Sequence, residues 1–202
     1  MKDYVSDGRR TLLSHTTSLH YFHTHTHIFT HIHSLKGTDW GKLDVLLLDM
    51  PPGTGDVQLT LCQDLQLSGA VSVIKPSKLA VRDAQKGIDM FTSMGVPTLA
   101  VVEDMVFFEC EGGGRHYPFG SHTPDASALC QSLGLKSSSN LVRLPISSPT
   151  NNANEAGAPL CLTRPPSASA ELDTFGRLAE VVAGELTKMR HGRKGVGRGM
   201  RW

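Results

Sequence analysis

The run from Trp40 to Asp56 constrains the fold of this chain more than any other part of its sequence. Within it, Val45 to Leu48 are consecutive apolar residues without alternation, which is typical of a strand in a parallel sheet covered on both faces. Asp49 follows directly, and a turn rich in proline and glycine comes next. Because ligands of open α/β sheets bind at the carboxyl ends of the strands, this run predicts a ligand site at Asp49.

The chemistry of the turn favours a phosphate group and its metal ion. A carboxylate at a strand end is suited to hold Mg²⁺, directly or through water, beside a phosphate chain. Gly53 and Gly55 would let the backbone approach the terminal phosphate, because no side chain stands in the way. An ordinary strand-to-helix turn also accounts for Asp49, and the residues alone leave both interpretations open.

From Trp40 onward the sequence alternates between strand and helix patterns. The predicted strands are 45–48, 70–74, 98–102 and 141–144, and the predicted helices are 57–67, 78–94, about 124–133 and about 167–190. Asp56 is expected to cap the first helix and Ser77 the second, which Gly95 and Pro97 should end. We expect the first three strands to be parallel neighbours, so the predicted fold class is α/β with a doubly wound parallel sheet.

Residues 1–38 differ in composition from the rest of the chain. Seven of the ten histidines lie there, most of them alternating with threonine between His20 and His33. Imidazoles two residues apart on a strand share a face and could bind a metal weakly, but low-complexity sequence of this kind favours a disordered leader. The predicted organisation is therefore a leader at 1–38, an α/β domain at 39–190 and a basic, glycine-rich tail at 191–202.

Composition narrows the functional class. A chain of 202 residues suffices for one α/β domain, and its net charge of +1 gives no bias toward nucleic acid or an anionic membrane. Four widely spaced cysteines favour a reducing compartment over a secreted disulfide framework. No apolar stretch approaches the ~20 residues that a membrane-spanning helix needs. We expect a soluble intracellular protein without nucleic-acid or membrane partners.

The run from Trp40 to Asp56 resembles the signature of the Mrp/ApbC-like P-loop ATPases, in which it forms the Walker B strand and switch II. The likeness extends to about Lys188, and the blocks 78–80 and 117–120 are most similar to plastid members. The resemblance implies a P-loop NTPase fold, ATP-dependent assembly and transfer of iron–sulfur clusters, a homodimer, and apo iron–sulfur proteins as recipients. It also favours the chloroplast stroma, with the cytoplasm and the mitochondrion as alternatives.

The same resemblance assigns roles to individual residues. It places ATP binding at the switch turn and at two later strand ends, in Asp49, Pro52, Gly53, Thr54, Gly55, Asp104 and Pro145. Asp49 would be the catalytic residue and would orient the water shell of Mg²⁺, while the glycine turn would sense the terminal phosphate. Cys110 would be a ligand of a [4Fe–4S] cluster that bridges two subunits.

Three departures from the family pattern change these expectations. No glycine-rich loop ending in Lys-Ser/Thr precedes Trp40, so we expect the C-terminal part of the fold, with a leader in place of the first strands and impaired ATPase activity. Gly113 stands where the family often has a second cysteine. A dimer would therefore supply only two thiolates to a [4Fe–4S] cluster, which usually has four. Asp104 replaces an asparagine and loses the donor that would read adenine.

Two other functions fit the sequence. A non-catalytic homologue acting as a partner-binding scaffold is favoured by the missing P-loop. A partition ATPase similar to MinD or ParA shares the sheet, but the double proline Pro51-Pro52 argues against it.

Overall fold

The computed structural model describes residues 3–6, 9–14, 36–50, 55–110, 112–120, 124–164 and 169–193. The strands are β1 (Asp3–Ser6), β2 (Arg9–Ser14), β3 (Val45–Leu48), β4 (Ala70–Ile74), β5 (Thr98–Glu103), β6 (Phe108–Glu109), β7 (Arg115–His116) and β8 (Leu141–Arg143). The helices are α1 (Asp56–Asp64), α2 (Lys78–Ser93), α3 (Pro124–Ser132), α4 (Ser137–Asn140), α5 (Ser148–Glu155), α6 (Leu160–Thr163) and α7 (Ser169–Arg193). They form two compact units, Met1–Gln66 and Leu67–Trp202.

The first unit contains a three-stranded sheet. Strand β1 is antiparallel to β2, and β2 is parallel to β3, with Thr11 opposite Val45 and Ser14 opposite Leu48. The sequence predicted no regular structure before residue 39 and placed β3 beside β4; both expectations differ from this pairing. Thr11-Leu12-Leu13 has the β-prone composition that makes it a suitable partner for β3. The remainder of the predicted leader, residues 15–35, lies outside the described residues.

Strand β3 is more exposed than its sequence predicted. None of its residues is buried, and Leu47 is 41% exposed. The prediction of a strand covered on both faces is therefore wrong for β3, because an unbroken apolar run does not by itself reveal how many layers cover it.

The second unit contains a parallel sheet in the order β4-β5-β8. The predicted parallel pairing of β4 with β5 is confirmed. Helices α2 and α3 pack against this sheet, and α7 packs against β5 and β8. Val101 of β5 is buried in an apolar cluster with residues of α2 and α3. Its neighbours Ala100 and Val102 are also buried. Since alternate residues point to opposite faces, β5 is covered on both sides, as predicted.

One apolar cluster joins this sheet to helices α2 and α3. Its buried members are Ile74, Val81, Ile88, Val101, Ala126, Leu129, Cys130 and Leu141. Strand β4 contributes only one face, because Val71 and Val73 are exposed, Val73 to 64%. The apolar run 70–74 predicts a buried strand, which is wrong for this exposed face. Among the described strands β4 pairs only with β5, so it lies at the edge of this sheet.

Helix α2 begins and ends as the sequence predicted. The Ser77 hydroxyl accepts a hydrogen bond from the Ala80 amide at 3.1 Å and caps its N-terminus. At the other end, Gly95 has a φ of 75° and the Val96 amide donates to the Phe91 carbonyl at 2.8 Å, which forms a Schellman motif. Helix α1 differs from its prediction, because Gly55 and not Asp56 is the N-cap residue.

We expect Gly69→Ala to lower the free energy of unfolding by about 1–3 kcal/mol, the usual cost of overpacking. A Cβ atom at Gly69 would lie 2.5 Å from Cδ2 of Leu99, whose side chain is only 3% exposed. Gly184→Ala in α7 is the matched control, because nothing lies within 4 Å of its Cβ position. The free energy of unfolding of Gly184→Ala should rise by about 0.5–1 kcal/mol, because alanine is favoured over glycine inside a helix. Urea unfolding followed by circular dichroism measures both; a Gly69→Ala variant as stable as the parent would contradict the packing at Leu99.

Among the described residues, no helix combines the length and the apolar composition that crossing a membrane requires.

Candidate functional site

The first candidate residues follow β3 in the first unit. Asp49 comes directly after the strand and is exposed, and Gly55 is the exposed N-cap of α1. Pro52, Gly53 and Thr54 lie outside the described residues. The structure therefore places a carboxylate at the carboxyl end of β3, as the sequence predicted.

Asp104 and Pro145 are brought together in the second unit. They follow the carboxyl ends of β5 and β8, two paired parallel strands. Backbone hydrogen bonds join the two following segments: the amides of Leu144, Val106 and Ile146 donate to the carbonyls of Glu103, Leu144 and Phe107, respectively, at 2.7–3.0 Å. These two candidate residues therefore share one edge of the sheet, where α/β proteins bind ligands.

The Asp104 side chain is engaged in its own turn. Its Oδ1 accepts a hydrogen bond from the Met105 amide at 2.9 Å, and Met105 has a left-handed φ of 60°. A non-glycine residue in that region is uncommon, and the carboxylate stabilises it locally. One acceptor of Asp104 is thus used by the backbone, and a carboxylate has no donor to offer a base.

Sequence reasoning missed a buried ion pair beside these residues. The Glu103 side chain is fully buried, and its Oε2 accepts a hydrogen bond from Nε of Arg143 at 2.8 Å. Burial first, and then the negative charge of Glu103, raise the pKa of the nearby Cys130 thiol. The pair joins the last residues of β5 and β8 and so fixes the strand ends from which Asp104 and Pro145 extend.

Cys110 lies at the tip of a short hairpin in the same unit. Strands β6 and β7 pair antiparallel, with Phe108 opposite His116 and Glu109 opposite Arg115. The Cys110 amide donates to the Gly114 carbonyl at 3.0 Å, and the Gly113 amide donates to the Cys110 carbonyl at 2.8 Å. The three consecutive glycines Gly112–Gly114 are a turn signal from which this hairpin could have been expected.

The Cys110 thiol is exposed and faces polar partners. Its pKa is lowered, first by hydrogen bonding to the His116 side chain and then by the backbone amides of Gly114 and Gly112. An ideal Cβ at Gly114 would lie 3.4 Å from Sγ of Cys110 and 3.6 Å from Nε2 of His116. These two atoms therefore both lie near the Cβ position of Gly114, on one side of the hairpin.

Ring contacts fix the hairpin beside the sheet edge. The His116 ring stacks on Phe108 with centroids 5.0 Å apart and an interplanar angle of 20°. The Arg115 guanidinium lies 4.6 Å from the centroid of the Phe107 ring and donates to Glu109 at 2.7 Å. Phe107 belongs to the segment that is hydrogen-bonded to residues 144–146. Cys110 is therefore presented beyond the carboxyl ends of β5 and β8.

Each unit contains one candidate carboxylate of the kind that Mg²⁺ prefers. These are Asp49 in the first unit and Asp104 in the second. The nucleotide candidates Gly55 and Pro145 have no polar side chain. Triphosphates are normally held by a run of amides and a lysine, which this described set lacks.

No group of three or more His, Cys, Asp or Glu side chains in the described part of the chain could hold a metal ion. Within those residues, one copy of the chain therefore does not supply enough neighbouring ligands for a metal centre at Cys110. Cys110 lies at an exposed tip, where further ligands could approach.

We expect Cys110 to be the cysteine that iodoacetamide modifies fastest, and to stay reactive at a lower pH than it does in the His116→Phe variant. The His116 contact lowers the pKa of Cys110, so its thiolate persists as the pH falls, whereas burial raises the pKa of Cys62 and Cys130. Peptide mass spectrometry after timed labelling measures the rates, with Cys161 as a second exposed cysteine. A Cys110 pH profile unchanged by His116→Phe would contradict this contact.

Comparison with protein families gives a match over residues 26–183 to ParA: NUBPL iron-transfer P-loop NTPase. The match begins within the histidine-rich segment, upstream of Trp40, where the sequence analysis placed the start of the likeness.

Several curated proteins are similar to this chain. It is 42% identical over 156 residues to the Fe-S cluster assembly factor HCF101, chloroplastic, of Arabidopsis thaliana, covering 77% of this chain and 28% of that protein. It is 39% identical over 153 residues to the iron-sulfur cluster carrier protein of Escherichia coli K12, and this match covers 75% of this chain and 40% of that protein. It is 39% identical over 138 residues to the iron-sulfur cluster transfer protein NUBPL of Mus musculus, and this match covers 68% of this chain and 42% of that protein. The chain thus spans less than half the length of these relatives.

Among solved structures, the chain resembles a nucleotide-binding protein from Archaeoglobus fulgidus described in complex with ADP. The TM-score is 0.57 at 33% sequence identity, and the match covers 77% of this chain and 64% of that one.

Proposed function

Because the chain belongs to the family of NUBPL iron-transfer P-loop NTPases, we propose that it takes part in the assembly and delivery of iron–sulfur clusters. The cluster is the cargo that passes from this protein to apo iron–sulfur proteins. The observation that carries the proposal is Cys110, an exposed thiol at the tip of a hairpin with a lowered pKa. Thiolates are the usual protein ligands of iron–sulfur clusters, and an exposed position suits a cluster that must leave again.

The proposed cargo site is shared by two copies of the chain. One thiolate cannot satisfy a [4Fe–4S] cluster, which normally takes four protein ligands. The described residues supply no third ligand near Cys110 within one copy. A homodimer in which two hairpins meet would bring the two Cys110 side chains to one cluster.

In this proposal the nucleotide elements regulate cluster transfer. Asp49 would hold Mg²⁺ through water and serve as the catalytic carboxylate, with Pro52, Gly53, Thr54 and Gly55 next to the terminal phosphate. Asp104 and Pro145 would lie near the base, at the carboxyl ends of β5 and β8. Bound ATP would supply the free energy of hydrolysis for switching between conformations.

The proposed domain organisation is a leader at 1–38, the family domain at 39–190 and a basic tail at 191–202. A chloroplast location is part of the same proposal, supported by the similarity to the Arabidopsis relative, which is chloroplastic.

A second candidate is a non-catalytic homologue that binds partners as a scaffold. One observation favours it: Asp104 uses one carboxylate oxygen in its own turn. Such a scaffold would neither hold a cluster nor respond to ATP.

Cluster transfer to an apo-ferredoxin tests the proposal. The full chain is loaded anaerobically with iron and sulfide, desalted and mixed with the apo-acceptor, and the acceptor's visible spectrum is followed. We expect transfer from the parent chain and from Cys161→Ser, the exposed-cysteine control, and no transfer from Cys110→Ser. A chain that holds no sulfide, or transfers equally well without Cys110, would contradict the proposed function.

A further inference from the structure

The position of the family's second cysteine is unsuited to a ligand in this hairpin. Gly113 occupies it with a φ of 76°, in the left-handed region that favours glycine. Its amide closes the turn by donating to the Cys110 carbonyl at 2.8 Å. A cysteine at this position would be strained, so a further ligand must come from another place on the hairpin.

His116 is the metal-ligating side chain that the hairpin places beside Cys110. It forms a side-chain hydrogen bond with the Cys110 thiol. The Nε2 atom of His116 and the Sγ atom of Cys110 both lie near the Cβ position of Gly114. Both residues are exposed, so an incoming metal can reach the sulfur and the ring nitrogen together. Imidazole is a ligand for iron in proteins, and in some clusters histidine replaces cysteine.

Stacking prepares the imidazole for this role. The His116 ring lies nearly parallel to the Phe108 ring, opposite it in the β6–β7 ladder. A ring held in this way loses less conformational freedom when it binds a metal than a mobile one would. The stack also provides a control, because phenylalanine at position 116 keeps the ring contact and removes the ligand.

We infer that His116 is the second protein ligand of the cargo site, so that two copies of the chain offer two thiolates and two imidazoles. This inference rests on the proposed function and adds the ligand set to it. Two ligands from each of two copies make four, the number that an iron–sulfur cluster or a tetrahedral metal ion normally takes.

Anaerobic titration of the full chain with Co²⁺ tests the ligand set without a cluster. We expect a sulfur-to-cobalt charge-transfer band together with the strong visible bands of tetrahedral cobalt, at one ion per pair of chains. The histidine-rich residues 20–33 could also bind cobalt, but they cannot produce the sulfur band. That band is therefore the measured signal.

Variants separate the two ligands. Cys110→Ser should abolish the sulfur band, and Cys161→Ser should leave it unchanged. His116→Phe should lower the cobalt affinity by at least ~10-fold, since even the loss of an outer-shell partner commonly has that effect. An unchanged affinity and spectrum in His116→Phe would overturn the inference, as would saturation at one ion per single chain.

Cluster loading of the same variants gives a second readout. Histidine ligation raises the reduction potential of a cluster relative to cysteine ligation, so His116→Cys should lower the potential while retaining the cluster. If the chain binds cobalt as expected but takes up no iron and sulfide, the proposed function fails and the ligand pair stands. If it takes up a cluster whose potential is the same in His116→Cys and the parent, the inference fails and the proposed function stands.

Discussion

The 202-residue chain should bind ATP at least ~10³-fold more weakly than the same chain joined to a P-loop segment, a glycine-rich loop that ends in Lys-Ser/Thr. Phosphates in this fold are held by loop amides and a lysine, whose charge-assisted hydrogen bonds contribute ~1.5–3 kcal/mol each. Losing several of these hydrogen bonds should weaken ATP affinity at least ~10³-fold, because each ~1.4 kcal/mol corresponds to a factor of ten in affinity. Asp49 and Asp104 cannot compensate, because carboxylates repel a triphosphate. Fluorescence titration with an ATP analogue and Mg²⁺ measures both affinities.

Asp49→Asn in the joined protein tests the carboxylate separately. We expect a lower hydrolysis rate, because the amide binds Mg²⁺ less well than the carboxylate does. Asp44→Asn is the control, since Asp44 is an exposed carboxylate at the opposite end of β3. Micromolar ATP affinity in the unmodified chain would contradict the first expectation, and equal rates for Asp49→Asn and Asp44→Asn would contradict the second.

Breaking the ion pair between Glu103 and Arg143 should lower the free energy of unfolding strongly. Arg143→Met would leave a fully buried carboxylate without its arginine, and such losses cost about 3–5 kcal/mol. The Arg143 side chain is 34% exposed, so water can reach the site. We therefore expect the free energy of unfolding to fall by about 3 kcal/mol, the lower end of that range. Urea unfolding followed by circular dichroism measures it.

Two companion variants make this prediction specific. Lys86→Ala breaks the exposed pair with Asp83 and should change the free energy of unfolding by no more than about 1 kcal/mol. The double variant with Glu103→Leu and Arg143→Met should regain most of the loss, because an apolar replacement leaves no buried charge. Equal losses in the single and double variants would show that the buried carboxylate is not the cause.

Local patterns made a large part of the fold predictable. Strand β4 has the predicted bounds, and α2 begins at the predicted Ser77 cap and ends before the predicted Gly95, because caps and left-handed glycines depend on a few adjacent residues. The family resemblance, inferred from the run ending at Asp56, is confirmed by the match over residues 26–183. The sequence could not predict that β3 would pair with β2, since pairing depends on partners that are remote along the chain.

The candidate site was less predictable for the same reason. Asp104 and Cys110 were identified from the family resemblance. The contact of Cys110 with His116 depends on the register of β6 and β7, and the burial of Glu103 depends on the register of β5 and β8. A charged residue at a strand end gives no sign in the sequence that it will be fully buried and paired with an arginine 40 residues away.

Iron and acid-labile sulfide analysis of the chain after anaerobic reconstitution tests most directly whether the Cys110 hairpin holds an iron–sulfur cluster. Sulfide is the decisive quantity, because the histidine-rich residues 20–33 could retain iron alone. We expect equal amounts of iron and sulfide in the parent chain and in Cys161→Ser. In Cys110→Ser we expect no sulfide above background. A parent chain that retains no sulfide, or a Cys110→Ser variant that retains as much as the parent, would contradict this account.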